Sequence, residues 1–441
     1  MKKTLIFGLF SVALLTLAQQ ADISVGILGG ERAVIAIPEF RGSGEAQKFM
    51  GAFNETLNDE IRGSGFFKMV PLSLMPRSNP QTPQQIQESA KGTGLALSDW
   101  SSPPVSANYL AFGYTGIQND QVVLFGYLFD IANSKQVIGK LYFGPVTERG
   151  LRQVAREFAA DILKLVGAES LLGSRIFFVS KRTAGDKQIW VMDYDGSSQK
   201  VFAPYRELCT MPTVSPDGTK LAFTRLTAAG PQLTIHATET GRRLNFLNPS
   251  GSFNSNLSFA PDGSKVVFAS TVGGFPQLHI ANPDGSGLHR LSNTRAIEVE
   301  PKINPKTGTG IVFVSGRSGP QQIYKMNIDG ADVTRLTSGE GQASNPAWHP
   351  NGKLIAFSWT RGFAPGNFNI FIMDVTTQKL VQLTHGQGRN ENPSWAPDGR
   401  HLVFSSNRRG GMQIYSMLAD GTDVRQLTSA GINEMPVWSK Q

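Results

Sequence analysis

Residues able to do chemistry are few and poorly grouped in this 441-residue chain. The histidines, at positions 236, 279, 289, 349, 385 and 401, share no spacing that would set two imidazoles on one metal ion. Cys209 is the single cysteine and can form no intramolecular disulfide; with no histidine nearby and no cysteine-family signature, it reads as a small apolar core residue. Neither a G-x-S-x-G elbow nor an H-E-x-x-H pair occurs. Asp193 and Asp195 in MDYDG imitate the start of a calcium loop, yet Pro204 stands in the twelfth place, where a bidentate glutamate belongs. A hairpin turn is expected there instead. The glycine pairs do not link a strand to a helix, so they form no phosphate cradle. These residues point to a binding scaffold with no catalytic residue, no metal and no cofactor.

Side chains suited to gripping a partner recur instead at fixed places in a repeat. Six apolar strands start at Ile176, Leu221, Val266, Ile311, Ile355 and Leu402, spaced by 45, 45, 45, 44 and 47 residues. Turns of Pro-Asp-Gly type precede them, as in SPDGTKLAFT, APDGSKVVFA, HPNGKLIAFS and APDGRHLVFS, with NPKTG as a variant and no turn before the first. In such turns Pro presets φ, Asp bonds the backbone and Gly supplies positive φ. Each unit divides into four short strands, the pattern of a β-propeller blade. Six third strands, from QIWVMD to QIYSML, predict six blades. Phe178, Phe223, Phe268, Phe313, Phe357 and Phe404 fall at one point of each second strand and are the expected inter-blade core. MPVWS at the C-terminus has no partners after it, so the ring should close by pairing it with the orphan strands that begin at Ile176.

With strands running outward from the axis, the Pro-Asp-Gly turns occupy one face. The other face gathers the loops before each innermost strand, which carry Glu298, Glu300, Arg389, Glu391, Asn392 and Glu434. It also gathers the loops between second and third strands, with Arg317, Arg361 and Arg408 among a basic residue in five of six blades. This is the expected binding face.

The front third reads differently. AVIAIPEF (33–40) suggests a buried strand, followed by a helix with Phe49, Met50, Phe53, Leu57 and Ile61 on one face. A Pro-, Gln- and Ser-rich stretch covers about residues 71–107. Three apolar runs then suggest an antiparallel meander, and Leu151, Val154, Phe158, Ile162 and Leu165 mark an amphipathic helix that caps it. The expected fold is an α+β N-terminal domain (19–170) followed by an all-β six-bladed β-propeller (174–441).

Lys2 and Lys3 before an apolar run from Leu5 to Leu17 read as a secretory signal cleaved after Ala18. The run is too short for a spanning helix. Without those lysines the formal charge falls from +8 to about +6, a mild basic excess; for an exported protein this makes nucleic acid a poor guess.

The repeat form PxWSPDGxxLxFxS…QIYxMDxDG…RQLT, matched by NPAWHPNGKLIAFS, NPSWAPDGRHLVFSS, QIYKMNIDG and MPVWS, resembles the TolB family of the periplasmic Tol system. VIAIPEFRG, LNDEIRGSGFF and the meander that follows are similar to that family's front domain. The resemblance implies a non-enzymatic, monomeric periplasmic component. Its propeller face would receive a peptidoglycan-associated lipoprotein (Pal-like), with Glu298, Glu300, Asn345, Glu391, Asn392 and Glu434 as matching positions. Its mature N-terminal segment, including Gln19, Asp22, Ile23 and Val25, would engage a TolA-like inner-membrane protein. Two other readings compete. One is an exported propeller that binds or processes a glycan or peptide, with Arg317, Arg361 and Arg408 on an anionic ligand; the other is an adaptor whose front domain does the recognition.

Overall fold

A computed structural model describes residues 32–182, 185 and 187–440, which divide into two compact units at Leu172 and Gly173. The signal peptide and the N-terminal segment lie outside the described residues.

In the front unit, β1 (Ala33–Ala36) pairs in parallel with β3 (Phe67–Met69) and β4 (Tyr109–Gln118). AVIAIPEF is not one strand. It stops before Pro38, which has no N–H for a ladder, and pairing with β4 resumes at β2 (Arg41–Gly42). β4, β5 (Gln121–Asp130) and β6 (Lys135–Pro145) form the meander, whose first turn places Asn119 and Asp120 at φ 50° and 57°. Two successive left-handed residues match the right-handed strand twist, and Asn and Asp tolerate that backbone. Helices α1 (Met50–Gly63) and α2 (Glu148–Leu165) cover one sheet face with Phe53, Leu57, Ile61, Val154, Phe158 and Ile162, all fully buried. Thr147 caps α2 by accepting from the Gly150 N–H at 3.1 Å.

The Pro-, Gln- and Ser-rich stretch covers the opposite face of this sheet. Leu97, Trp100 and Val105 pack there on Leu110, Phe112 and Phe129. Trp100 has no exposed surface and its Nε1 donates to the Gly94 carbonyl at 3.0 Å. Gly94 sits at φ +84°, and a Cβ there would fall 1.9 Å from the Ser78 carbonyl oxygen, so only glycine allows this close crossing.

The second unit is the six-bladed β-propeller. Blades 2 to 6 begin with innermost strands Cys209–Val214, Asn254–Phe259, Glu298–Ile303, Ala343–Trp348 and Asn390–Trp395, each followed by three antiparallel neighbours in chain order. Blade 1 is composite. Its innermost strand is the C-terminal Ile432–Ser439, paired antiparallel with Arg175–Lys181, so both ends of the unit share one sheet. The six second-strand phenylalanines expected between blades are buried throughout, none more than 1% exposed. Each is worth about 2 kcal/mol of burial.

Polar side chains at repeating positions stitch blade to blade. A glutamine near the start of the third strand reaches the loop that enters the next blade: Gln232 Nε2 donates to the Ser252 carbonyl at 2.9 Å. Gln277, Gln322 and Gln413 do the same to Ala296, Gly341 and Gly431, each at 2.8 Å. The last residue of each R/Q-L-T or R-L-S motif accepts the next amide of that strand, as Thr337 does from Ile323 at 2.8 Å and Thr428 from Ile414 at 2.9 Å. Within the Pro-Asp-Gly turns, Asp217 and Asp262 accept from the amides of Thr219 and Ser264, both at 3.0 Å. Asp195 accepts from Ser197 in the same way at 2.9 Å, which makes MDYDG a hairpin turn.

Candidate functional site

Innermost strands from all six blades line a central cavity of about 480 Å³. Each strand is interrupted once by a bulge, at Met211, Asn256, Glu300, Asn345, Asn392 and Met435, where φ lies between 52° and 56°. Proline follows in five of the six and leucine in the other. Left-handed backbone costs a methionine or glutamate on the order of 1 kcal/mol, so the ring is held by its surroundings. Those surroundings are the neighbouring blades. The bulge amide of Met435 donates to Ser405 Oγ at 2.9 Å, that of Asn392 to Ser358 Oγ at 3.2 Å, and that of Asn345 to Glu300 Oε2 at 2.6 Å.

Glu300 is therefore a carboxylate used where other blades use a hydroxyl. Its second oxygen accepts from Asn345 Nδ2 at 3.3 Å. Burial pushes its carboxyl above the ordinary carboxylate range, while the Asn345 amide and the Lys302 ammonium oppose that rise. Burial in turn holds Lys302 below its usual range. Burial thus works against the charged form of both side chains in this wall, so they contribute little to stability there.

Beyond the bulge ring the cavity runs toward the Pro-Asp-Gly turns, not toward the loops expected to bind. Its walls there are Trp348, Trp395 and Trp438 with Phe259 and Ile303, and Pro216, Pro261, Pro305, Pro350 and Pro397 rim its end. The turns thus frame a cavity as well as punctuating blades. Trp348 Nε1 donates to the Lys302 carbonyl at 2.9 Å and Trp438 Nε1 to Ser174 Oγ at 3.0 Å, which fixes both rings. The recurrent Trp near the end of the innermost strand in AWHP, SWAP and VWSK, and the Pro after five of the six bulges, were the signals in the sequence for this lining.

On the other side of the ring stand Glu391 and Glu434, on adjacent innermost strands. Arg389 Nε lies 2.6 Å from Glu391 Oε2, and Lys187 pairs with Glu434. Burial raises the Glu391 carboxyl, Arg389 counters it and the nearby Glu434 charge adds to it.

Three residues expected on the binding face have other work. Glu298 is 0% exposed, because the first position of each innermost strand points between blades. Its Oε1 accepts from Ser315 Oγ at 2.9 Å and from Arg317, whose Nε lies at 3.0 Å. The Arg317 guanidinium also lies over Tyr324, 5.1 Å from the ring centre. Arg408 repeats the device in blade 6: its Nε donates to Ser406 Oγ at 3.0 Å, its NH2 group to Asn390 Oδ1 at 2.9 Å, and it lies over Phe404 and Tyr415. Arg361 is exposed and lies over Trp359 at 5.0 Å. The site residues therefore separate into Glu300, Asn345 and Asn392 on the cavity ring, Arg389, Glu391 and Glu434 beside it, and Glu298, Arg317 and Arg408 inside the blades. Gln19, Asp22, Ile23 and Val25 lie outside the described residues.

The family model described as the TolB beta propeller domain matches residues 162–363 and 338–441, more than half of the chain. A protein TolB homolog of Chlorobium luteolum is 29% identical over 282 residues, 63% of this chain and 60% of the relative. The Tol-Pal system protein TolB of Pseudomonas aeruginosa is 28% identical over 251 residues, 55% of each chain. The matched region thus spans less than two thirds of these relatives' own length. The crystal structure of TolB from Acinetobacter baumannii superposes with a TM-score of 0.75 at 22% identity, covering 93% of this chain and 98% of that one, which shows a common fold. The chain belongs to the TolB β-propeller family.

Proposed function

We infer that the protein is a periplasmic scaffold of a Tol-Pal-like envelope complex that performs no chemistry. Its propeller receives a peptidoglycan-associated lipoprotein, and its mature N-terminal segment engages a TolA-like inner-membrane protein. Linking the two layers supports envelope integrity and cell division. The protein acts as a monomer within that assembly. The observation that carries this reading is the bulge ring, where Glu300, Asn345 and Asn392 present polar groups to a cavity continuous with a tryptophan- and proline-lined wall. Such a surface suits a protein segment with one polar anchor and an apolar flank. The anionic-ligand alternative is weakened, since Arg317 and Arg408 are already spent on Glu298, Asn390 and aromatic rings. Titration of the soluble domain of the lipoprotein into the mature protein tests the reading. Glu300→Gln, which keeps an acceptor for the Asn345 amide, should weaken binding several-fold while thermal stability at neutral pH stays at or above that of wild type. Unchanged affinity in this variant would remove Glu300 from the site, and no binding by the wild-type protein would remove the lipoprotein as partner.

A further inference from the structure

Blade 3, like blade 2, has no basic residue in the loop between its second and third strands. The blade 3 loop reads Thr271-Val-Gly-Gly-Phe275-Pro276, and Phe275 is 52% exposed. Three more large apolar side chains stand beside it on the same face: Leu226 at 50%, Phe253 at 55% and Ile297 at 47% exposure. Hydrogen bonds make them neighbours across blades 2, 3 and 4. Phe253 lies against Gly230, whose added Cβ would fall 2.3 Å from its ring, at the end of the hairpin that carries Leu226. The Phe253 amide donates to Thr271 Oγ1 at 2.9 Å, and the Thr271 amide to the Phe253 carbonyl at 3.1 Å, which ties it to the Phe275 loop. The Glu298 amide donates to the Pro276 carbonyl at 3.0 Å, which brings Ile297 alongside.

The exposed charges around this arc are basic. The loops 245–253, 271–276 and 291–297 together hold a single ionisable residue, Arg295, which is exposed and makes no ion pair among the described residues. Arg206 is exposed at one end, and Arg317 at the other cancels the buried Glu298. Glu207 is the acidic neighbour, half-buried. Exposed Phe, Leu and Ile at loop ends, next to Gly and flanked by Arg, are the chemistry of shallow insertion into an anionic bilayer surface: apolar side chains enter the acyl boundary while guanidinium groups meet headgroup phosphates.

We propose that this arc on blades 2 to 4 is a peripheral membrane contact, which binds anionic lipid headgroups independently of the lipoprotein site. The test is flotation of the full mature protein with protein-free vesicles of phosphatidylglycerol and phosphatidylethanolamine, set against phosphatidylcholine alone. The wild-type protein should float with the anionic vesicles only, and salt should reduce the bound fraction. Phe253→Ser with Phe275→Ser should lower it by about tenfold, and Arg295→Glu by several-fold, on the order expected when anchors and surface charge are lost. Leu247→Ser removes a 62%-exposed leucine whose amide bonds the Asp284 turn on the opposite face, and should change nothing. Lipoprotein affinity should be retained in the double phenylalanine variant, so failure of this inference and failure of the scaffold reading are separately visible. Wild-type protein that stays at the bottom of the gradient with anionic vesicles, or a double variant that floats as well as wild type, would overturn the proposal and assign the arc to a protein partner.

Discussion

Glu298 and Glu300 stand two positions apart on one strand and answer to different demands. Glu298 is sealed between blades with Arg317 as its counter-ion, so removing the arginine strands a buried carboxylate. Arg317→Ala should cost about 3–5 kcal/mol in urea denaturation, whereas Arg361→Ala, at an exposed cation–π contact, should cost less than about 1 kcal/mol. Glu300 sits in the cavity wall with its carboxyl raised by burial. A raised folded-state value means that the folded protein holds this proton after the unfolded chain has released it, so its share of stability falls as pH rises from the ordinary carboxylate range through the raised one. Glu300→Gln should therefore flatten the decline in melting temperature above about pH 4.5 and leave the neutral-pH protein at least as stable as wild type. A steeper decline in the variant would contradict the burial account. Both carboxylates were visible in the sequence as loop residues. Their separation was not, because the bulge that turns one inward and the other to the cavity depends on hydrogen bonds from neighbouring blades.

At the level of elements, strand count, turn chemistry and helix faces were legible because each rests on local periodicity: a Phe in every second strand, a Pro-Asp-Gly before it, and Leu151 to Ile162 at helical spacing. The stretch at 71–107 was not, because its composition reads as loop and its fixation is tertiary. Trp100 anchors that cover, and Trp100→Ala should destabilise the front unit by about 3–5 kcal/mol with loss of protection in β4 and β5 measured by hydrogen exchange. The terminal Thr of the R-Q-L-T motif was read as a family mark, yet its role is physical. Thr428 Oγ1 accepts from Ile414 and donates to Gln413 at 2.7 Å, and Gln413 also accepts from Asn433 of the closing strand at 2.7 Å. Thr428→Ala should cost about 1–2 kcal/mol, since it leaves a buried amide and the Gln413 network short of a partner.

For the whole molecule, closure of the ring and the assembly of its axis are one event. Ile432–Ser439 supplies the innermost strand of blade 1, two positions of the inner rings at Glu434 and Met435, and the Trp438 wall of the cavity. Deleting residues 432–441 should leave Arg175–Lys181 as an exposed edge, abolish the near-UV signal of packed aromatics and produce aggregates on size exclusion, and a folded, monomeric truncation would contradict the closure account. The central claim, that the axis of this propeller receives the lipoprotein, is tested most directly by placing a photocrosslinking residue at Asn392 on the bulge ring, in cells that carry the lipoprotein. The account predicts a crosslink from Asn392 to the lipoprotein that weakens with Glu300→Gln, which keeps the acceptor for the Asn345 amide. Crosslinking that is absent at Asn392 but present from an outer-strand position such as Arg425 would contradict it.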